Sequence, residues 1–136
     1  MAEKKMRPLT GVTPSGDLHI GNLLGTIKPA IELSKDNEAF YFVSNYHALT
    51  KTIMKDDLIK RTKEVAAGWF ALGLDPYKNV FFIQSDIPEV CELTWILSNV
   101  TPYGLLQRAH AFKDAMTKNK EVNDGLFQYP VLMAAD

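Results

Sequence analysis

Three stretches of this chain read as strands and the sequence between them reads as helix, and that alternation constrains the fold more than any other feature. The first, Met6–Thr10, is a weak strand candidate. Ala39–Val43 and Val80–Ile83 are short continuous apolar runs, the pattern of parallel strands covered on both faces. Between the first two runs, Leu18, Leu23, Leu24, Ile27, Ala30, Ile31 and Leu33 suit a largely buried helix, which Pro29 should bend or divide because it offers no N–H to the turn before it. Between the second and third, Leu58, Thr62, Val65, Ala66, Trp69, Phe70 and Gly73 follow helical spacing over Asp56–Gly73. Asp56 or Asp57 is available as a cap there and Gly73 as the stop. Strands that alternate with helices imply right-handed crossovers into a parallel sheet, so the expected class is α/β, a Rossmann-like doubly wound parallel sheet.

Two further helices are expected, Glu89–Val100 opening at Pro88–Glu89 and Tyr103–Lys118, divided by Thr101–Pro102. Trp95, Ile96 and Leu97 lie on or near one apolar side, and Leu105, Leu106, Ala109 and Phe112 form a stripe. A core and a subunit interface both account for them.

With 136 residues, 46% of them hydrophobic, the chain is sized for one domain with a real core. Fifteen basic against sixteen acidic residues leave a formal charge of −1, so no positive field marks a nucleic-acid surface. A single cysteine, Cys91, forms no intramolecular disulfide, and His19, His47 and His110 are too dispersed to suggest a zinc site; no metal ligand is assigned. Met1–Arg7 is charged, with no apolar stretch behind it long enough for a signal peptide or membrane span. A cytoplasmic setting is expected.

Chemistry is expected at the first βα turn, where backbone N–H groups and a helix start face an incoming anion. The turn GVTPSG (Gly11–Gly16) leads there into DLHIGN (Asp17–Asn22). It is neither G-x-G-x-x-G nor a P-loop, so the residues alone say only that a glycine-rich turn precedes a helix, which plain turn geometry also explains.

The segment PSGDLHIGN (Pro14–Asn22) resembles the HIGH signature of class I aminoacyl-tRNA synthetases, in the form ending in Asn found among tryptophanyl-tRNA synthetases. SNYHALT (Ser44–Thr50), GLDP (Gly73–Pro76), FIQS (Phe82–Ser85) with Pro88–Glu89, and GLFQYPVLMAAD (Gly125–Asp136) resemble further segments of the same family in the same order, nearly the whole length of the chain. The resemblance implies the N-terminal half of the nucleotide-binding catalytic domain over residues 1–136. It places Thr13, Pro14, Ser15, Gly21 and Asn22 at the ATP, and Gly11, His47, Tyr129, Met133 and Asp136 at the amino acid. His19, Asn22 and Lys113 are the implied catalytic groups.

Each implied role has a physical basis beside a plainer alternative. His19 would donate to charge developing on the α-phosphoryl group, or is a helix-start histidine bonded to backbone. The absent Cβ of Gly21 would let the adenine ring or ribose approach. Asn22 bonds in the same neighbourhood while neutral. Lys113 in HAFKD (His110–Asp114) would offset charge on departing pyrophosphate, or is a solvated lysine. Asp136 would accept the indole N–H, since indole has one donor and no acceptor, while Tyr129 and Met133 wall the ring; the alternative is a frayed terminal carboxylate. Thr13 stands where many relatives carry glutamine.

The implied activity is tryptophan–tRNA ligation: ATP with Mg2+ activates L-tryptophan to the adenylate, and the acyl group passes to tRNA through the full-length enzyme, working as a homodimer in which Trp69, Trp95 and the Leu105 to Phe112 stripe would face the partner. No Lys-Met-Ser-Lys-Ser loop or anticodon-binding region occurs in these residues, so a truncated sheet in need of a partner or its absent half is expected. The alternatives are a non-catalytic, truncated paralogue that binds tryptophan or a nucleotide, and another class I nucleotidyltransferase using the same turn.

Overall fold

The computed structural model describes residues 6–51, 53–118 and 122–136. The first five residues of the charged segment Met1–Arg7 lie outside them. Contacts divide the chain into two compact units, Met1–Ala48 with Ile53–Asp86, and Leu49–Thr52 with Ile87–Asp136.

The first unit is a three-stranded parallel sheet in the order β1 (Leu9–Val12), β2 (Phe40–Val43), β3 (Val80–Ile83). Leu9 to Val12 pair with Phe40 to Val43, which pair in turn with Val80 to Ile83. The α/β, Rossmann-like class is as expected. The first strand lies later than Met6–Thr10, because its pairing runs on to Gly11 and Val12. Its neighbour β2 is the most buried strand, as its unbroken aromatic and branched run requires.

The first crossover is one helical run in three windings: α1 (Ile20–Asn22), a π-helical stretch Leu23–Ile27, and α2 (Lys28–Ser34). In regular α-helix Pro29 would owe an N–H to Gly25, and it has none. The chain takes up a wider turn just ahead of it, in which the Lys28 N–H reaches back to the Leu23 carbonyl. The expected division at Pro29 is thus a change of winding. Burial is narrower than expected: Ile27 and Ala30 are in the core, whereas Leu24 and Leu33 are exposed.

The second crossover carries α3 (Asn45–Ala48) and α4 (Lys55–Ala71). Neither Asp56 nor Asp57 caps α4; the cap is Met54, without a side-chain bond, and both carboxylates lie in the first turn, where they favour the helix dipole. The stop is as expected. Gly73 takes φ 104°, and the N–H groups of Gly73 and Leu74 bond the carbonyls of Phe70 and Trp69, a paired closure that only a left-handed residue allows.

Val12, Tyr41 and Val43 face Ile27 and Ala30 from the first crossover and Val65 and Trp69 from α4 in a single core. Trp69 stacks on Tyr41 at 5.0 Å and 20°, and the Tyr41 hydroxyl donates to the Ala30 carbonyl at 2.5 Å. Burial pushes the Tyr41 phenol above its ordinary value, since the core disfavours a phenolate. With the folded value raised, the stability tied to the neutral phenol is complete below about pH 10, the ordinary value, and lost as pH climbs past it. Tyr41→Phe should therefore cost about 1 kcal/mol at neutral pH and lessen the fall in melting temperature above pH 10, which thermal melts across that range would show.

The second unit is helical, with α5 (Glu89–Ser98), α6 (Tyr103–Leu106), α7 (His110–Thr117) and α8 (Asp124–Ala135). The single helix expected over Tyr103–Lys118 is two. After α6 the N–H groups of Arg108 and Ala109 bond carbonyls three residues back, and Ala109 turns extended at ψ 135°. The stripe of Leu105, Leu106, Ala109 and Phe112 is broken at that point, Leu106 being buried and Leu105 exposed. Phe127 of α8 packs against Tyr103 and Phe112 at 5.2 and 5.0 Å, and Val131 is buried.

Candidate functional site

The expected nucleotide residues all belong to the first unit and lie at or just beyond the carboxyl end of β1. Gly11 is in the strand, opposite Phe42; a Cβ there would meet the Phe42 ring at 2.7 Å, so glycine at this place makes room for that ring. The Thr13 hydroxyl is 3.0 Å from that of Ser44, tying the end of β1 to the end of β2. Pro14 is wholly buried, and the Ser15 N–H returns to the Thr13 carbonyl at 2.8 Å, which turns the chain away from the sheet.

His19 opens the helical run, and it does so as the cap. Its backbone is extended, with φ −136° and ψ 171°. Its Nδ1 accepts the Gly21 N–H at 3.1 Å, and its own N–H donates to the Asn22 Oδ1 at 3.1 Å. This is a reciprocal capping box with an imidazole in the place usually held by a hydroxyl. A ring nitrogen that accepts from an amide carries no proton, so in the neutral tautomer the proton is assigned to Nε2, and the His19 side chain is exposed. The backbone bond, one of the two alternatives in the sequence, is made through Nδ1 and leaves Nε2 outside the cap. Gly21 is what permits the arrangement, because a Cβ there would lie 2.9 Å from both Cε1 and Nδ1 of His19. Asn22, half-buried, spends its side-chain oxygen on His19.

The sequence reading missed a set of polar ties at the same edge of the sheet. The Ser44 N–H extends the ladder to the Val12 carbonyl at 3.0 Å. Asn45 and Ser85 bond each other twice, Nδ2 to Oγ at 2.8 Å and Ser85 N–H to Oδ1 at 3.1 Å. Gln84, 1% exposed, accepts the Tyr46 N–H on its Oε1 at 3.0 Å. These bonds hold α3, which carries His47 half-buried, against the 3-10 turn Gln84–Asp86 that follows β3. The one available signal was a run of amide and hydroxyl side chains directly after two apolar strands.

The remaining expected residues are in the second unit. Asn123 caps α8 by accepting the Leu126 N–H at 2.8 Å and fixes its own amide on the Thr50 carbonyl at 3.1 Å. Tyr129, Met133 and Asp136 recur at helical spacing, so they share one face of α8, turned from the buried Val131. Met133 is exposed; Tyr129 and Asp136 are half-buried. The Asp136 N–H bonds the Leu132 carbonyl at 3.1 Å, which continues the helix to that residue. Lys113 is exposed on α7. Among the described residues, no three His, Cys, Asp or Glu side chains come together as a metal site, and no helix is long and apolar enough to cross a membrane.

The family model for class I tRNA synthetases of the W and Y group matches residues 1–136. The chain is 51% identical over 131 residues to the tryptophan–tRNA ligase of Campylobacter jejuni (strain RM1221), covering 96% of this chain and 41% of the relative. It is 48% identical over 130 residues to that of Fusobacterium nucleatum, covering 96% and 40%. The crystal structure of tryptophanyl-tRNA synthetase from Campylobacter jejuni complexed with ADP and tryptophan superposes with a TM-score of 0.89 at 51% identity, over 96% of this chain and 41% of that one. The chain thus spans about two fifths of the length of the relatives it matches.

Proposed function

Because this chain belongs to the class I tRNA synthetases of the W and Y group, we propose that it is the ATP-gripping N-terminal half of the catalytic domain of a tryptophan–tRNA ligase. In the proposed reaction the tryptophan carboxylate attacks the α-phosphorus of ATP, an oxygen–phosphorus bond forms, and the bond to the β-phosphate breaks to release pyrophosphate. The ribose hydroxyl at the acceptor end of tRNA then attacks the acyl carbon and AMP leaves. Positioning and charge stabilisation carry such a transfer. The observation that carries this reading is His19, whose Nδ1 is spent on the Gly21 N–H and whose Nε2–H is left as a fixed donor at the first βα turn. We assign that donor to the α-phosphoryl oxygens, with Thr13, Pro14, Ser15, Gly21 and Asn22 shaping the turn around the nucleotide and Lys113 countering charge on the leaving pyrophosphate. Magnesium is taken to arrive on the phosphates of ATP, which suits an ion that keeps much of its own shell.

The amino acid is assigned to Gly11, His47, and the Tyr129, Met133 and Asp136 face of α8. A carboxylate that only accepts rewards an indole N–H. A relative's structure holding ADP and tryptophan supports both ligand classes. We propose a homodimer as well, supported by the apolar surface of α5 and α6, where Trp95 is 71% and Tyr103 66% exposed. Trp69, which the resemblance also placed at that surface, is excluded from it by complete burial. The proposed setting is the cytoplasm.

Exchange of labelled pyrophosphate into ATP tests the reading, with tyrosine as the control amino acid. Exchange that requires tryptophan supports it, exchange driven by tyrosine overturns the specificity, and ligand binding without exchange makes the chain a binding remnant. Asp136→Ala is expected to weaken tryptophan about 10- to 100-fold, the worth of a hydrogen bond to a charged group, while ATP affinity stays unchanged.

A further inference from the structure

The helix α3 is a single turn, far below the length at which a helix is stable unaided, and residues nearly forty positions away hold it in place. The Gln84 Oε1 accepts the Tyr46 N–H, one of the donors that a helix start leaves unsatisfied, and so caps α3 from the end of β3. The doubled Asn45–Ser85 pair pins the residue before it. His47 follows Tyr46 directly, so its backbone is set by these bonds. A glutamine 1% exposed at the carboxyl end of a parallel strand is an expensive residue to keep for packing alone, because any polar atom left without a partner there would be penalised.

We propose that Gln84 is a positioning residue for the amino-acid site: it fixes the first turn of α3 and through it the placement of His47. This rests on the reading above that His47 serves the amino acid. Gln84 would touch no substrate; its effect on tryptophan passes through the helix that it caps. The Asn45–Ser85 pair is the second support of the same turn.

The test is a double-mutant cycle on the complete chain, with tryptophan affinity measured by titration calorimetry and ATP affinity as the control. Gln84→Met keeps the volume and removes the acceptor. It is expected to weaken tryptophan about 10- to 100-fold, the cost of misplacing a positioned group by about an ångström, and to leave ATP affinity within about twofold. In a His47→Ala background the same change should alter tryptophan affinity by less than about twofold, since its route is already gone. Equal losses with and without His47 would overturn the proposal, as would a Gln84→Met protein that binds tryptophan normally. Should that variant not fold, Asn45→Ala replaces it in the cycle with the same expected dependence on His47, and additivity there overturns the proposal too. If His47→Ala alone leaves tryptophan affinity intact, the assignment of His47 fails, and the Gln84 proposal falls with it.

Discussion

Replacing His19 with alanine is expected to slow tryptophan-dependent pyrophosphate exchange about 10²- to 10³-fold, the loss seen when one preorganised donor to a developing negative charge is removed. His19 has two jobs, and a second substitution separates them. Nδ1 caps the helix by accepting the Gly21 N–H, whereas Nε2 carries the outward donor. His19→Asn keeps a short side-chain oxygen for the cap, while its own amide N–H groups fall short of the place that the ring Nε2–H reaches. Both variants should lose the rate, and only His19→Ala should lose the cap, about 1 kcal/mol in a thermal or urea melt. An asparagine variant with full exchange activity would sink the donor role. Equal stability of the two variants would sink the cap.

The largest loss of stability is expected at Trp69. The ring has no exposed surface, stacks on Tyr41, and meets Phe81 at 6.0 Å beneath the sheet. Trp69→Ala would remove that contact and leave a cavity bounded by β2 and α4, at a cost of about 3–5 kcal/mol, a large share of a typical domain's stability. Trp69→Phe should be far milder. The indole Nε1 is buried and finds no partner among the described residues, so its removal relieves a penalty of about 1–3 kcal/mol that offsets much of the lost packing. Urea unfolding of both variants decides it: a phenylalanine variant as unstable as the alanine one would mean that ring size alone matters here.

The two tryptophans show where sequence reading reached and where it stopped. Trp69 falls on the buried stripe of α4 with Val65, and the helical period alone put it on an inward face. Its assignment to a partner surface came from family resemblance and is overturned by the core around it. Trp95, in an equally apolar stretch, is exposed together with Ile96, and three apolar residues in a row carry no period that marks an inward side. At the site, His19 was legible only through the resemblance of Pro14–Asn22 to the HIGH signature, the residues alone giving no more than a glycine-rich turn before a helix. Which of its nitrogens bears the proton was not, because that depends on the Gly21 N–H coming within 3.1 Å of Nδ1.

What the sequence determined by itself was set by short-range rules. The apolar runs of β2 and β3 imply parallel strands wherever they lie, Gly73 ends α4 because it can take a positive φ, and Pro29 forces a change of winding because it has no N–H to give. Only the tertiary structure decided the existence of α3, the break between α6 and α7, and the ties Thr13–Ser44, Asn45–Ser85 and Tyr46–Gln84 that bind the strand ends into one edge. Those bonds join residues 31 to 40 positions apart. Side-chain periodicity reports which face of an element is buried, but it holds no record of which distant amide or hydroxyl will stand opposite once the strands are paired.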